Sequence, residues 1–431
     1  MSLDEAASRA AQLIRSRPAG TRWFLDCDTD ADGITAAVVM ARALGRIGHR
    51  FQVRASRDKD TAAYEALSSQ ECDGFLLLDK GTSHVGILAS FDRPVVVIDH
   101  HNVPDADAGD VLLVNPRLEG MDGSRDASAA TTAVAVALAL DERNLDLAPI
   151  GLSGAVGDWQ HHGGWQGWNR ELVDRCLAAG HLERRHVPAL IGIDLAEALR
   201  RAGLEDVDAF LAELGIDGAL EAEDLDREAM TRLVSAWTRH DLAQGMERRR
   251  VDEILVNVGL DLGIRHAFRI VDACGRLGHA DTGIAFLMGS AAARQKALEI
   301  FADYKNRLGH ALARLREGTQ EERAMQWTTI DEPALTGMVA GLGVVHFLDN
   351  VAKPLVVMAP RGDGSLQVST RGDHHHVEAG LDLGVAIQVA AAAVEAEGGG
   401  HPIASGAVIP ADQREAFLAA LDAALQGQEF L

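Results

Sequence analysis

The sequence predicts an α/β fold in three parts. These are an N-terminal parallel-sheet domain over residues 1–185, a helical connector over 186–322 and a smaller C-terminal α/β domain over 323–431. Three observations carry this reading. In the first half, short apolar runs alternate with helical patterns, as in a parallel sheet with helices on both faces. Each of those runs ends in an acidic residue. The pattern then turns mostly helical after about residue 185 and mixed again after about 325.

The elements follow in order. Trp23-Phe24-Leu25 leads into Asp26, and 34–44 reads as a helix. Phe75-Leu76-Leu77-Leu78 leads into Asp79, and Val95-Val96-Val97-Ile98 leads into Asp99. In open α/β sheets, ligands bind beyond the carboxyl ends of the strands. Several carboxylates therefore line the edge where a site is expected. Residues 196–214 and 291–315 carry apolar faces of helical period. Val344-Val345-His346-Phe347 and Leu355-Val356-Val357-Met358 read as strands. Residues 383–397 read as a helix that stops at Gly398-Gly399-Gly400, and 413–425 as a final helix.

Length and composition narrow the class. The 431 residues suggest two or three domains at roughly 150 residues each. A 47% hydrophobic and 24% charged content is that of a soluble globular protein and excludes global disorder, collagen and coiled coil. No apolar run approaches the ~18 residues of a membrane helix, so no membrane association is expected. Met1-Ser2-Leu3-Asp4-Glu5 lacks the basic and apolar regions of a secretory signal. Cys27, Cys72, Cys176 and Cys274 form no CxxC pair, which argues against a disulfide framework or zinc ribbon. A reducing cytoplasm is the expected location. The net charge of -23 repels phosphate backbones unless a basic groove or bound cations reverse the field. Only five of the 41 basic residues are lysine; the rest are arginine, which forks onto phosphate better, although a GC-rich genome or a salty cytoplasm is the simpler account of the bias.

The motifs carry the chemistry. In Asp26-Cys27-Asp28-Thr29-Asp30-Ala31-Asp32-Gly33, four aspartates alternate. Crowded carboxylates repel, and they share protons or bind cations. Hard oxygen ligands suit Mg or Mn. A solvated acidic turn is the alternative. A calcium EF-hand loop fails, because position 12 counted from Asp28 is Val39 rather than glutamate. Asp79, taken singly, reads as a turn or cap residue. In Asp99-His100-His101 the adjacent histidines point in different directions. One can ligate a metal while the other faces substrate, and Asp99 can orient a ring. In Gly154-Ala155-Val156-Gly157-Asp158 the glycines allow close backbone approach, or simply a tight turn. Ser369-Thr370-Arg371 and Gly398-Gly399-Gly400-His401 combine an arginine fork with a glycine-rich anion nest, or a plain helix stop. The histidine tract Gly372-Asp373-His374-His375-His376 reads as a solvated loop, and Glu247-Arg248-Arg249-Arg250 as a solvated helix face.

Taken together and in this order, the motifs resemble the DHH phosphoesterase superfamily: an aspartate-rich first motif, a strand-end aspartate, Asp-His-His, a Gly-Asp motif, and the GGGH of the DHH-associated C-terminal domain. The resemblance spans nearly the whole chain. Val271-Asp272-Ala273-Cys274-Gly275-Arg276-Leu277-Gly278 and Gly157-Asp158-Trp159-Gln160 are similar to segments of the archaeal-type RecJ-like branch. Asp28 departs from that branch, where histidine is common, and matches bacterial RecJ proteins. The resemblance implies an N-terminal DHH domain, a helical connector and a DHH-associated domain, with a cleft between them that admits a single strand. It implies two Mn2+ or Mg2+ ions held by Asp28, Asp30, Asp32, Asp79, His100 and Asp158, with Asp79 or Asp158 bridging. His101 would contact the scissile phosphate, with Asp99 and His100 completing the catalytic group. Ser369, Arg371, Gly399, Gly400, His401 and Arg276 would hold the nucleic-acid backbone. The implied activity is exonucleolytic on single-stranded DNA or RNA, 5′→3′ on DNA. The alternatives are an oligoribonuclease or cyclic-dinucleotide phosphodiesterase, or a non-catalytic replisome scaffold. Analogy with archaeal relatives adds the replisome GINS complex as a partner.

Overall fold

The computed structural model describes residues 3–58, 60–104, 107–190, 194–244, 251–344, 353–428 and 430. The chain forms two compact units, Met1–Phe301 and Ala302–Leu431. Most of the expected connector, 186–301, thus belongs to the first unit.

The first unit begins α1 (Leu3–Arg15), β1 (Arg22–Cys27), α2 (Ala31–Arg46), β2 (Arg50–Ala55), α3 (Thr61–Leu67), β3 (Gly74–Leu78), α4 (Val85–Leu88), β4 (Val95–Ile98) and β5 (Leu112–Val114). The five strands form one parallel sheet in the order β2-β1-β3-β4-β5. The all-apolar runs of β3 and β4 are buried throughout, as strands covered on both faces require. On one face Phe24, Phe75, Leu77, Val95 and Val97 pack with Tyr64, Leu67 and Leu88 of α3 and α4. On the other lie α1, α2 and α5 (Ala129–Leu140). The helix predicted over 34–44 is the core of α2, extended by a turn whose N-cap is Asp30.

Next come α6 (Ala148–Gly157) and α7 (Gly167–Ala179). A further part follows with β6 (Leu182–Pro188), α8 (Leu195–Arg201), α9 (Val207–Leu214), α10 (Arg227–Ala243), β7 (Val251–Asn257), β8 (Leu262–Gly263), α11 (Ile264–Arg276), α12 (Ala280–Leu287) and the start of α13 (Ala291–Arg316). Strands β6, β7 and β8 form a small antiparallel sheet within the stretch expected to be mostly helical. Strand β6 reads Leu-Glu-Arg-Arg-His-Val-Pro with its middle exposed, so it shows no alternation of apolar and polar residues.

The second unit continues α13 and adds β9 (Gln320–Glu321), β10 (Gln326–Thr329), α14 (Thr336–Leu342), β11 (Leu355–Pro360), β12 (Ser365–Arg371), α15 (His374–Glu378), α16 (Leu383–Ala392), β13 (Glu397–His401), β14 (Ala404–Pro410) and α17 (Arg414–Gln426). Its sheet runs β13-β14-β12-β11-β10-β9. Val356, Met358, Val368, Ile387, Ala390, Phe417 and Leu421 form its core, with α16 and α17 on that face.

Two expectations change here. Helix α16 ends at Ala392, and Gly398–Gly400 lie in strand β13 rather than in a helix-stopping turn. Residues 374–378 form a short helix, not a loop. Of the strand expected over 344–347, residues 345–347 lie outside the described residues, as does the charge run 247–250. All four cysteines are free and buried. Among the described residues, no helix is long and apolar enough to cross a membrane.

Candidate metal centre

Strand order reverses between β1 and β3, and in doubly wound sheets a crevice opens at such a switch, beyond the carboxyl ends of the strands. The first motif follows β1, Asp79 follows β3, and Asp99-His100-His101 follows β4. The topology gathers three sequence-distant motifs at one edge.

Each carboxylate there has a definite local setting. Among the described residues, Asp26 belongs to none of the metal-type groups that the motif's other acids form. It is buried and paired with Lys80 Nζ at 2.7 Å and Arg54 Nε at 2.6 Å. Asp28 Oδ1 accepts from Thr29 N–H at 2.6 Å. Asp30 caps α2, accepting from Gly33 N–H at 3.0 Å. Asp32 is buried and accepts three hydrogen bonds at the start of α5: from Ser128 Oγ at 2.6 Å, Ala129 N–H at 2.7 Å and Ala130 N–H at 3.1 Å. It thereby satisfies orphan donors of that helix and meets the positive end of its dipole. Asp79 has φ of 60°, an uncommon conformation for a non-glycine residue. Lys80 behind it folds back under the sheet to Asp26 and to the Ser56 carbonyl. Asp158 is the C-cap of α6. Gly154, one turn earlier, packs so tightly that a Cβ would overlap Thr35 Oγ1 and stand 2.7 Å from Asp32 Oδ1.

His100 is the hub. Its Nδ1 lies 2.6 Å from the Gly123 carbonyl, which can only accept, so Nδ1 carries the proton. Nε2 then faces Asp79 Oδ1 at 3.3 Å, Asp158 Oδ2 at 3.3 Å and Asp32 Oδ2 at 3.9 Å. A bare lone pair aimed at carboxylates needs a cation between them, a proton or a metal ion. Burial alone would lower the His100 pKa; Asp158 and Asp79 outweigh it and raise it well above the usual value. Burial, with repulsion from Asp30 and Asp32 respectively, pushes Asp79 and Asp158 well above the usual carboxylate range. Asp79 Oδ1 and Asp158 Oδ2 are buried without a hydrogen bond of ordinary geometry. These orphaned oxygens and the fixed Nε2 fit a divalent cation. Among the described residues, three sets of side chains have ligand atoms within 4.8 Å of one another: Asp28, Asp30 and Asp79; Asp32, His100 and Asp158; and Asp79, His100 and His101. All six metal ligands expected from the sequence fall in these sets.

Asp99 serves a different ring from His100. Its Oδ1 accepts from His101 Nδ1 at 2.7 Å and from His100 N–H at 2.8 Å, and its Oδ2 accepts from Thr82 N–H at 3.2 Å. Burial works against the ionised form, but these donors and the two histidines hold the carboxyl well below the usual range. Asp99 is thus a positioning residue. His101 is half-exposed, with Nδ1 tied back.

Arg276 ends α11 and is paired with Asp272 on its own helix. Its neighbour Gly275 makes the closer link to the motif loop. A Cβ there would overlap the Thr29 carbonyl oxygen. Arg57 Nη2 also donates to the Gly275 and Arg276 carbonyls.

In the second unit, register gathers the other expected residues. Ser369 pairs with Gly406, which pairs with Gly399; Arg371 pairs with Ala404, which pairs with His401. Ser369 and Arg371, two apart on β12, share the face that meets α14, where Thr336 Oγ1 lies 2.9 Å from Ser369 Oγ. Gly400 lies between Gly399 and His401 in the same strand.

Residues 24–154 match the DHH family N-terminal domain, and 333–427 match the DHHA1 domain. The chain belongs to the DHH phosphoesterase superfamily. An uncharacterised protein of Methanocaldococcus jannaschii is 22% identical over 415 residues, covering 91% of this chain and 90% of that one. The DHH chain also shares its fold with manganese-bound exonuclease RecJ (TM-score 0.62, 19% identity, 99% of this chain and 94% of that one). It is similar to Mn2+-bound RecJ of Thermus thermophilus (TM-score 0.60, 20% identity, 99% of this chain), although it spans only 55% of that chain. CDC45 of Entamoeba histolytica has the same fold (TM-score 0.66, 12% identity, 98% of this chain and 99% of that one).

Proposed function

We propose that this chain is a divalent-metal-dependent phosphodiesterase acting on single-stranded nucleic acid, a RecJ-like exonuclease working 5′→3′ on DNA in the cytoplasm. The observation that carries this reading is His100. Its tautomer is fixed by Gly123, and Nε2 converges with buried, unsatisfied oxygens of Asp79 and Asp158. Such an arrangement is unfavourable empty and favourable around a cation.

In this reading Asp28, Asp30 and Asp79 would hold one ion, and His100, Asp158 and Asp32 a second. The chemistry such a site would supply, with Mn2+ or Mg2+ bound, is a water more easily deprotonated and positive charge for the oxygens of a phosphodiester. The chain's own groups do the rest. Asp99 fixes the His101 ring so that Nε2 faces outward, toward a non-bridging phosphate oxygen. Asp32 holds the start of α5, and Asp79 follows β3 with a left-handed backbone. In the second unit Ser369, Arg371, Gly399, Gly400 and His401 bind the substrate backbone. The complete set of ligand-type residues favours an enzyme over the non-catalytic scaffold.

A digestion assay with Mn2+ tests this, using 5′- and 3′-labelled single-stranded DNA, matching RNA and a cyclic dinucleotide. Mononucleotide release from long DNA supports the reading, and the labels give the polarity. Activity confined to very short RNA or the cyclic dinucleotide replaces it with the small-substrate phosphodiesterase. No hydrolysis with any metal overturns it.

A further inference from the structure

Directly after Asp158 the chain places aromatic rings at the surface. Trp159 is 49% exposed, and its backbone has φ of 61°. That conformation is unfavourable for a bulky residue, and it persists only where the surroundings impose it. Here they do. On one side Asp158 is the α6 C-cap, its Oδ2 aimed at His100. On the other, Gln160 is buried and pinned: its Nε2 donates to the Gly123 carbonyl at 3.0 Å, and its Oε1 accepts from Asn169 Nδ2 at 2.7 Å. The Gly123 carbonyl is the same one that fixes His100. Trp159 is therefore held between Asp158, which faces His100, and Gln160, which shares the Gly123 carbonyl with His100.

The rings continue. His162 lies 4.6 Å from Trp159 between centroids, His161 lies 4.6 Å from His162, and Trp165 lies 6.0 Å from His161. A large exposed indole backed by further rings is costly in water and has a flat π-face. Nucleobases of every kind stack on such faces.

We propose that Trp159, backed by His162, is a stacking platform for a nucleobase next to the scissile phosphodiester. This deepens the proposed function and rests on it: the site reads its substrate as a nucleotide chain through base stacking, without regard to sequence, and not as a phosphodiester alone.

The test uses the full chain with Mn2+ and steady-state kinetics on a single-stranded oligonucleotide. It is repeated on versions carrying one abasic residue at the first or second position from the attacked end. Trp159→Ala should raise KM about 10- to 100-fold on the intact strand, the range expected for loss of one stacked base, with kcat nearly unchanged. Trp159→Phe should stay close to the original, and Trp159→Leu, which keeps bulk without a π-face, should behave like Trp159→Ala. One abasic version should raise KM similarly for the original chain, and Trp159→Ala should add nothing further on it. An unchanged KM in Trp159→Ala and Trp159→Leu overturns the platform, as does an equal loss on intact and abasic strands. If the original chain cleaves no nucleic acid, the functional reading falls and takes the platform with it. If it cleaves and the variants match it, only the platform falls.

Discussion

Gly275 and Thr29 are 246 positions apart in sequence, yet a single methyl group on the former would collide with the carbonyl of the latter. The end of α11 is thus packed directly onto the loop that carries Asp28 and Asp30. Gly275→Ala should force that loop to move. The expected cost is about 1–3 kcal/mol, as for overpacking elsewhere, with a many-fold loss of metal-dependent hydrolysis. Thermal melting and turnover together check this; a variant with native melting and turnover would mean the loop yields freely.

His100 and Asp158 should be indispensable to hydrolysis but not to folding. His100→Ala and Asp158→Ala should each reduce turnover by at least about 10³-fold, as losses of groups acting at the transition state do, while the circular dichroism spectrum stays native. Without metal, Asp79 and Asp158 repel their acidic neighbours. Asp79→Asn should therefore raise the melting temperature in EDTA and lower it relative to the original chain in excess Mn2+. The same ordering in both buffers would count against a cation at Asp79.

Asp32 differs from the other acids because it accepts three hydrogen bonds at α5. Asp32→Asn would set an amide N–H₂ against a donor. A loss of about 2–4 kcal/mol is expected, larger than for Asp158→Asn, since hydrogen bonds to charged groups are the strong ones. Denaturant unfolding of the two variants side by side measures the difference.

Chelation should abolish activity, and Mn2+ or Mg2+ should restore it. Added Mn2+ should also raise the melting temperature in proportion to its binding to the folded chain alone. Activity in excess EDTA would eliminate the metal mechanism.

Arg371→Ala and His401→Ala should raise KM while leaving turnover largely intact, because they sit on the second unit's sheet rather than among the metal ligands. Kinetics on the same oligonucleotide distinguish this from a loss in kcat.

Much of the first unit's sheet was legible in the sequence. Strands β1, β3 and β4 announced themselves as apolar runs ending in acids, because strands buried on both faces admit little else. Strands β6 and β13 were not legible. Glu183-Arg184-Arg185-His186 and Glu397-Gly398-Gly399-Gly400-His401 carry no apolar alternation, and neighbouring strands rather than their own side chains hold them in place. The helix expected over 383–397 overran because its alanine- and valine-rich pattern continues past Ala392, whereas Glu395 takes φ of 54° and turns the chain.

Residue types and their order, read through the resemblance to the DHH family, supplied Asp28, Asp30, Asp32, Asp79, His100 and Asp158 as candidate ligands. The folded chain set what surrounds each of them. It paired Asp26 with Lys80, set Asp32 on the start of α5, assigned Asp99 to His101 instead of His100, and gave His100 a single tautomer through Gly123. Residue type fixes what a group can bind. Direction, burial and the state of its protons are set by neighbours brought from distant parts of the chain.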